Sequence, residues 1–563
     1  MRRRKGLIAF TLAAVCLTLP QAASALPGLL GQVGSPGSGA GQLSTPNGIA
    51  FDPSANVFVA DRTNHRVTAF TPGGTFLRAF GRDVVSGNPE TGFEVCDGAE
   101  TCKSGAVVDG AAGELSNPGG IVIDGSGRVF VADLHNRVSE FTLEGGFVRA
   151  FGGGVDTGAA AFEVCTAASG CQQGIGSSGP GQLAGGEDLA IDAAGRLFVA
   201  DSGNARISVF EADGAPSFLH AMGRNVDPSG GSGEFETCAA SCQTGDTNGE
   251  AGSLDFPIGV GLDSSGGLYV AENVNNRVSV IASAGTAPAF VHTFGMNVIN
   301  GGGTGFEVCT TTCKAGDPGG ALGQMVQASD VVIGDGVISV ADRNNHRVSQ
   351  FSLPGPSPLR AFGFDVDPAG GAGFEVCSAA TGCQSGDSGG APGQIDLPNR
   401  LALDCRGSLW VSDSAGRVQR FGEPATALPP CLPNQQPTTP AAKCGNRTAT
   451  HSGTAGPDVI VGSAGADVIA ALGGNDRVSG GGGNDLICAG DGNDRASGQG
   501  GNDQVFGEGG ADQLKGNAGR DRLFGQAGKD LLAGGGGSGD RCVGGGARDR
   551  PGVRGCEVRR SLP

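Results

Sequence analysis

The first two thirds of the chain alternate between apolar and polar positions. From Gly41 the sequence runs GQLSTPNGIAFDPSANVFVADRTNHRVTAFTPGGTFLRAFG. Four short segments, NGIAFD, NVFVAD, RVTAF and FLRAF, carry the alternation, and Asp, Asn and Gly separate them. A period of two puts the apolar side chains on one face of a strand, and the turn residues end each strand. The pattern restarts near Gly113, Gly181, Gly252, Gly323 and Gly393, at spacings of 72, 68, 71, 71 and 70. Four strands repeated around an axis make a propeller blade, so the prediction is an all-β fold with a six-bladed β-propeller.

The sixth copy stops at RVQRFGEPA and lacks a fourth strand. LLGQVG (Leu29–Gly34) is similar to FLRAFG (Phe76–Gly81), so this N-terminal segment is expected to complete the last blade and close the ring. Closure removes a free sheet edge. The copies resemble NHL repeats, through PxGIAxD, VADxxNHRV and a terminal FG. ADRTNHRV at Ala60–Val67 and ADRNNHRV at Ala341–Val348 match best. Copy 2 is one residue short at ADLHNRV, and copy 6 loses the Asn-His pair in SDSAGRV. The resemblance runs from residue 26 to residue 422.

Blades 1 to 5 are each followed by an insert: GFEVCDGAETC, AFEVCTAASGC, EFETCAASC, GFEVCTTTC and GFEVCSAATGC. Long connections are often functional. Two readings stay open: a ring of five similar loops presenting a binding surface on one rim, or stapled decoration. Residues 423–443, EPATALPPCLPNQQPTTPAAK, read as a Pro-rich linker.

From Gly453 the pattern changes to nine: GTAGPDVIV, GSAGADVIA, ALGGNDRVS, GGGGNDLIC, AGDGNDRAS, GQGGNDQVF, GEGGADQLK, GNAGRDRLF, GQAGKDLLA. The sixth place is always aspartate: Asp458, Asp467, Asp476, Asp485, Asp494, Asp503, Asp512, Asp521 and Asp530. The eighth is always apolar, from Ile460 to Leu532. This closely resembles the calcium-binding RTX (hemolysin-type) nonapeptide. Calcium takes six to eight hard oxygen ligands, more than one carboxylate provides. Glycine tolerates φ > 0, so the Gly-rich half of each repeat can turn with its carbonyls inward. The expected ligands are the nine aspartates with the carbonyls of Gly456, Gly465, Gly474, Gly483, Gly492, Gly501, Gly510, Gly519 and Gly528, holding several calcium ions. The resemblance implies a parallel β-roll over residues 444–563, two nonapeptides per coil, with Asp467 under Asp485 and Asp476 under Asp494. One apolar residue in nine makes a thin core, so folding is expected to need calcium. A flexible tail and a metal-free solenoid are the alternatives. The pattern lengthens by one at GGGGSGDRCV, so Asp540 and Asp549 are not counted as ligands.

Residues 1–25 read as an export signal: a basic head (Arg2, Arg3, Arg4, Lys5), an apolar stretch from Gly6 to Leu19, and Ala23-Ser24-Ala25 before the cut. No later segment is long and apolar enough for a membrane span. Removing the signal leaves 34 basic against 56 acidic residues, a net charge of −22, which disfavours nucleic acid and anionic lipid as partners. From Gly445 onward 14 acidic face 13 basic residues, so the calcium reading rests on spacing and not on bulk charge.

Of 17 cysteines, Cys16 goes with the signal, and an even number in an exported chain reads as disulfides. Five local pairs are expected: Cys96/Cys102, Cys165/Cys171, Cys238/Cys242, Cys309/Cys313 and Cys377/Cys383. Cys444/Cys488 and Cys542/Cys556 are expected to cap the roll, leaving Cys405 and Cys431.

The recurring Asp61, Asn64 and Arg66 read as turn formers and blade-to-blade ion pairs rather than a catalytic set. His65 and His346 belong to that turn motif, and with His135, His220 and His292 they are a poor basis for one metal centre. Two functions from different classes remain. One is a secreted, monomeric calcium-binding protein whose propeller binds a protein or small molecule. The other is a secreted lyase or hydrolase, lactonase-like or metal-dependent, with its site at the central channel. Convergent, asymmetric polar residues in the channel would favour the second.

Overall fold

The computed structural model describes residues 28–422, apart from 88–91, 99–100, 231–232, 283–287, 335, 354 and 405. It also describes 443–558, apart from 445–446, 449–450, 453–458, 462–464, 537–538, 545–549 and 552–555. The expected export signal, nearly all of the expected linker, Cys405, Cys431, Gly456, Asp458 and the side chain of Cys556 lie outside the described residues.

The fold is all-β: a six-bladed propeller followed by a parallel β-roll. Its innermost strands are Pro46–Phe51, Ile121–Ile123, Gly186–Ile191, Pro257–Leu262, Ala328–Gly334 and Arg400–Leu403. Each blade is an antiparallel sheet with its strands in chain order. The sixth is completed from the other end of the ring. Gly28–Val33 pairs antiparallel with Arg417–Gly422, with Leu29 opposite Phe421 and Val33 opposite Val418. Blade faces pack on each other through apolar clusters such as Phe58, Phe80 and Phe141 between blades 1 and 2.

The inserts correct the sequence reading, which placed FEVC and its relatives in loops. Phe93–Cys96, Phe162–Cys165, Phe235–Cys238, Phe306–Cys309 and Phe374–Ser378 are fifth strands on the outer edges of blades 1 to 5. The edge of the fourth strand offers unpaired backbone groups, and the segment satisfies them. Its Phe packs on the following blade. Phe93 stacks on Phe141 at 5.8 Å, Phe162 on Phe210 at 5.8 Å, Phe306 on Phe351 at 5.6 Å and Phe374 on Phe421 at 5.5 Å.

A disulfide closes each insert in the pairing expected: Cys96–Cys102, Cys165–Cys171, Cys238–Cys242, Cys309–Cys313 and Cys377–Cys383. In each pair the first cysteine sits at the end of the fifth strand, and the second folds back onto the blade. Cys102, Cys171, Cys242, Cys313 and Cys383 each join a small apolar cluster, with Val84, Val155, Val226, Val298 and Val366 respectively. The bond thus covers apolar surface at the blade's outer edge, which would otherwise face water.

The Asp–Arg pairs are also corrected: they lie within blades, not between them. Asp61–Arg66, Asp201–Arg206 and Asp342–Arg347 pair at 2.9 Å with both side chains fully buried, as does Glu272–Arg277. Arg66 also donates to the carbonyls of Gly39 and Gln42 leading into the blade and of Lys103 in the returning insert. A buried guanidinium needs these acceptors, which is why the motif recurs. Histidine makes the blade-to-blade link: Nδ1 of His65 accepts from the Asn117 amide (3.1 Å), and Nδ1 of His346 from the Leu397 amide (3.2 Å).

In the roll, strands of alternate nonapeptides stack into two parallel sheets, of seven and six strands. Val468–Ala470 pairs with Leu486–Cys488, and Arg477–Ser479 with Arg495–Gly500, eighteen residues on. The eighth-place residues form a single-file core from Ile469 to Leu532, extended by Cys542. Cys444 and Cys488 are bonded as expected. Cys542 is also disulfide-bonded.

Candidate calcium site

The two stacked sheets bring the sequence-predicted aspartates into two buried rows. Asp467, Asp485, Asp503, Asp521 and Asp540 form one, and Asp476, Asp494, Asp512 and Asp530 the other. Each carboxylate is held by the turn one coil earlier. The Asp467 N–H donates to Asp485 Oδ1 (2.9 Å), and the Asp476 N–H to Asp494 Oδ1 (2.8 Å). The series continues to Asp521 donating to Asp540 Oδ1 (2.9 Å), across nineteen residues. Asp540 therefore occupies the ladder place despite the inserted residue. The signal for it was the apolar eighth-place equivalent, Cys542, two residues on.

In five of these groups the second oxygen lacks a partner. Oδ2 of Asp494, Asp503, Asp512, Asp521 and Asp540 is buried and accepts no hydrogen bond. A buried, unsatisfied carboxylate oxygen is costly. Burial, with the charges of Asp476 and Asp491, pushes the Asp494 carboxyl up to about 6 against the opposing effect of the Asp476 amide. Burial pushes Asp512 up to about 7, with the charges of Asp494 and Asp530 adding to it. A row of buried like charges calls for cations.

Glycine leaves a hollow beside the free oxygens of Asp503, Asp512 and Asp521. A Cβ at Gly507 would lie 2.5 Å from Asp512 Oδ2 and 2.8 Å from the Gly525 carbonyl oxygen. At Gly516 it would lie 2.2 Å from Asp521 Oδ2 and 2.5 Å from Gly534 O. A carboxylate oxygen and a carbonyl oxygen thus face one space, the hard-oxygen donor set that calcium uses. These carbonyls belong to the first glycine of a repeat. The fourth-place carbonyls expected from sequence lie against the glycine one coil on. Gly474 O, Gly483 O, Gly492 O, Gly501 O and Gly510 O would meet a Cβ on Gly492, Gly501, Gly510, Gly519 and Gly528 at 1.4–1.7 Å. Only glycine permits that approach, and φ there is +124° to +141°. Among the described residues no three His, Cys, Asp or Glu side chains form a metal-holding group.

The propeller channel breaks the sixfold repeat. The glycine of PxGIAxD is Gly48, Gly120 and Gly259 in blades 1, 2 and 4, but Asp188, Asp330 and Arg400 in blades 3, 5 and 6. Arg400 lies 3.6 Å from Asp188 Oδ1 and donates to the carbonyls of Ser329 and Asn399 (3.0 Å each) and of Glu187 (2.9 Å). Arg62 of blade 1 reaches Glu187 of blade 3 at 2.8 Å. Sequence reasoning passed over these positions. Aligning the six copies would have exposed them as charges standing where the repeat has glycine.

Family models agree with both halves. The RTX calcium-binding nonapeptide repeat matches residues 452–487, 489–514 and 506–540, and the NHL repeat matches residues 43–70. The chain thus carries an NHL repeat in the first blade of a six-bladed propeller, and RTX calcium-binding repeats in its roll. No curated protein matches it. Similar solved structures include a catalytically inactive virginiamycin B lyase from Staphylococcus aureus, at 10% identity, covering 71% of this chain and 100% of that one, with a TM-score of 0.34. A gluconolactonase from Xanthomonas campestris is 11% identical, covering 68% and 88%, with a TM-score of 0.30. An auxiliary nutrient binding protein from Bacteroides thetaiotaomicron is 10% identical, covering 69% and 72%, with a TM-score of 0.37. At these values the likenesses say nothing of what this chain does.

Proposed function

We propose that this is an exported calcium-binding protein whose roll is ordered by several calcium ions and whose propeller is an extracellular scaffold for a protein or small-molecule ligand. The carrying observation is the ladder of buried carboxylates, with free oxygens turned into glycine-walled hollows. Calcium bound there would use one carboxylate and the neighbouring carbonyls in each turn and would neutralise the row. Its binding free energy would offset the ordering of a glycine-rich chain. The basic and apolar leader supports export, as do the six disulfides whose partners are both among the described residues. Among the described residues no helix is long and apolar enough to cross a membrane.

The test is hydrogen exchange on the full chain, titrated with calcium from a chelated start. Residues 465–543 should gain protection cooperatively while the propeller strands stay unchanged. Equal protection in chelator would point to a metal-free solenoid and sink the proposal. A second reading, a secreted lyase or hydrolase at the channel, is favoured by the asymmetric Asp188–Asp330–Arg400 group.

A further inference from the structure

The channel contains a cavity of about 740 Å³, walled by the innermost strands of all six blades. Its walls are apolar: Ile49, Ile121, Leu189, Val260, Val332 and Leu401 represent the six strands. Asp188, Asp330 and Arg400 line it as well, each at least 94% buried. Because the strands run in parallel around the axis, the glycine position of PxGIAxD forms one level of the channel. That level is a polar floor beneath rows of Ile, Leu and Val.

The floor carries two carboxyls against one guanidinium. Asp188 Oδ2 accepts from the Val260 amide at 2.9 Å. Asp330 accepts from the amides of Val331 (2.8 Å) and Leu401 (2.6 Å). Arg400 is committed to the frame, since both terminal nitrogens donate to backbone carbonyls. Its Nε is buried without an acceptor and faces Asp188 Oδ1 at 3.6 Å. At this level two carboxyls thus share one guanidinium, while Arg62 and Arg343 stand by Glu187 next to it. Burial and the neighbouring Asp188 hold the Asp330 carboxyl well above the usual range, against the opposing effects of Arg400 and the Leu401 and Val331 amides. Neighbouring glycines make room for the pair: a Cβ at Gly120 would lie 2.6 Å from Asp188 Cα, and one at Gly259 2.4 Å from Asp330 Cα.

The cavity's other lining charges are also mostly negative. Asp52, Asp124, Asp192 and Asp213 stand against Arg128, which pairs with Asp124 and Asp213. Arg196 pairs with Asp192. An acidic lining draws cations, apolar walls hold hydrocarbon, and the floor sets two carboxyls beside one guanidinium whose terminal nitrogens are already engaged.

We propose that the propeller channel binds a hydrophobic molecule with a basic amine at one end, its ammonium on Asp188 and Asp330 and its hydrocarbon against the Ile, Leu and Val walls. This rests on the reading of the propeller as a ligand-binding scaffold and gives that ligand a chemical class. A carboxylate head would meet two carboxyls and a guanidinium with no free terminal donor. A neutral head would leave the charge count as it is.

The test is calorimetric titration of the full chain, with calcium present, using n-octylamine, n-octanol and octanoate. One octylamine per chain should bind at least tenfold more tightly than either of the others. Asp330→Asn keeps the shape and a donor toward Asp188 but cannot ionise, and it should weaken octylamine at least tenfold. Val332→Trp fills the cavity from a half-buried wall position and should abolish octylamine binding in a chain of unchanged melting temperature. Octanol or octanoate binding as tightly as the amine, or no binding at all, would overturn the amine class. Amine binding insensitive to both variants would overturn the channel site while leaving the scaffold reading standing.

Discussion

The backbone N–H of Asp503 donates to Oδ1 of Asp521 at 2.9 Å, eighteen residues on, while Asp521 Oδ2 is buried and unpartnered. The first oxygen ties two coils together and the second is free for a cation. Asp521→Asn keeps an acceptor for the tie and removes the charge. It should lower calcium affinity at least tenfold, about 1.4 kcal/mol, without destabilising the calcium-free chain. Asp521→Ala loses the tie too, so it should both weaken calcium and lower the temperature at which the calcium-loaded roll melts. Calorimetric calcium titration and thermal melts of the two variants separate the roles.

Ring closure depends on a segment almost 390 residues from its partner in sequence: Gly28–Val33 pairs with Arg417–Gly422, and Val33 is buried. Removing residues 28–33 exposes that edge and the blade 6 core around Val33, Trp410 and Val418. Burial of Val33 alone is worth roughly 1.5–3 kcal/mol. The truncated chain should show a large fall in propeller melting temperature by circular dichroism. An unchanged melt would mean that the ring is held without this strand.

Phe374 belongs to the fifth strand of blade 5 and stacks on Phe421 of blade 6 at 5.5 Å, with the rings 16° from parallel. Phe374→Ala removes this wedge and should cost about 3 kcal/mol. Denaturant unfolding followed at the single tryptophan, Trp410 of blade 6, reads the loss. A cost below about 1 kcal/mol would make the insert mere decoration.

Glu114 gives the propeller an acid-sensitive contact. Burial alone would raise its carboxyl, but the His135 imidazole and the amides of Val108 and Gly110 outweigh it and hold the group at about 2, below the ordinary 4.5. A depressed folded value stabilises above the unfolded value and is lost as pH falls through the folded one. The contribution is therefore present above pH 4.5 and fades toward pH 2. Glu114→Gln should flatten the stability–pH curve over that window and lower stability at pH 7, by denaturant titration at stepped pH. A curve parallel to the parent's would contradict this.

Periodicity made much of the fold legible. Six copies of about 70 residues, nine uninterrupted nonapeptides and the kinship of LLGQVG to FLRAFG all lie in local order. The structure carries each into a blade, a coil or a closing strand. The close cysteine pairs were legible for the same reason: few residues separate the partners. Where the second cysteine of each pair packs was not, because Val84 and its counterparts belong to the turn after the fourth strand, and only the returning chain brings the two together. Departures from the pattern were harder to read. Asp540 sits one residue out of register, yet its carboxylate takes its place in the row. FEVC looked like a loop because four strands already completed a blade, and nothing local announced that a fifth edge was open.

By itself, the sequence determined the architecture and the chemistry of the ladder, because strand alternation and a nine-residue aspartate spacing impose their geometry over a few residues. Only the tertiary structure decided which carbonyls stand beside the free carboxylate oxygens, where the insert phenylalanines wedge, and that Asp188, Asp330 and Arg400 share one channel floor. Those three lie 70 to 212 residues apart. Their meeting follows from closure of the ring, which sets one position of every innermost strand at the same height around a common axis.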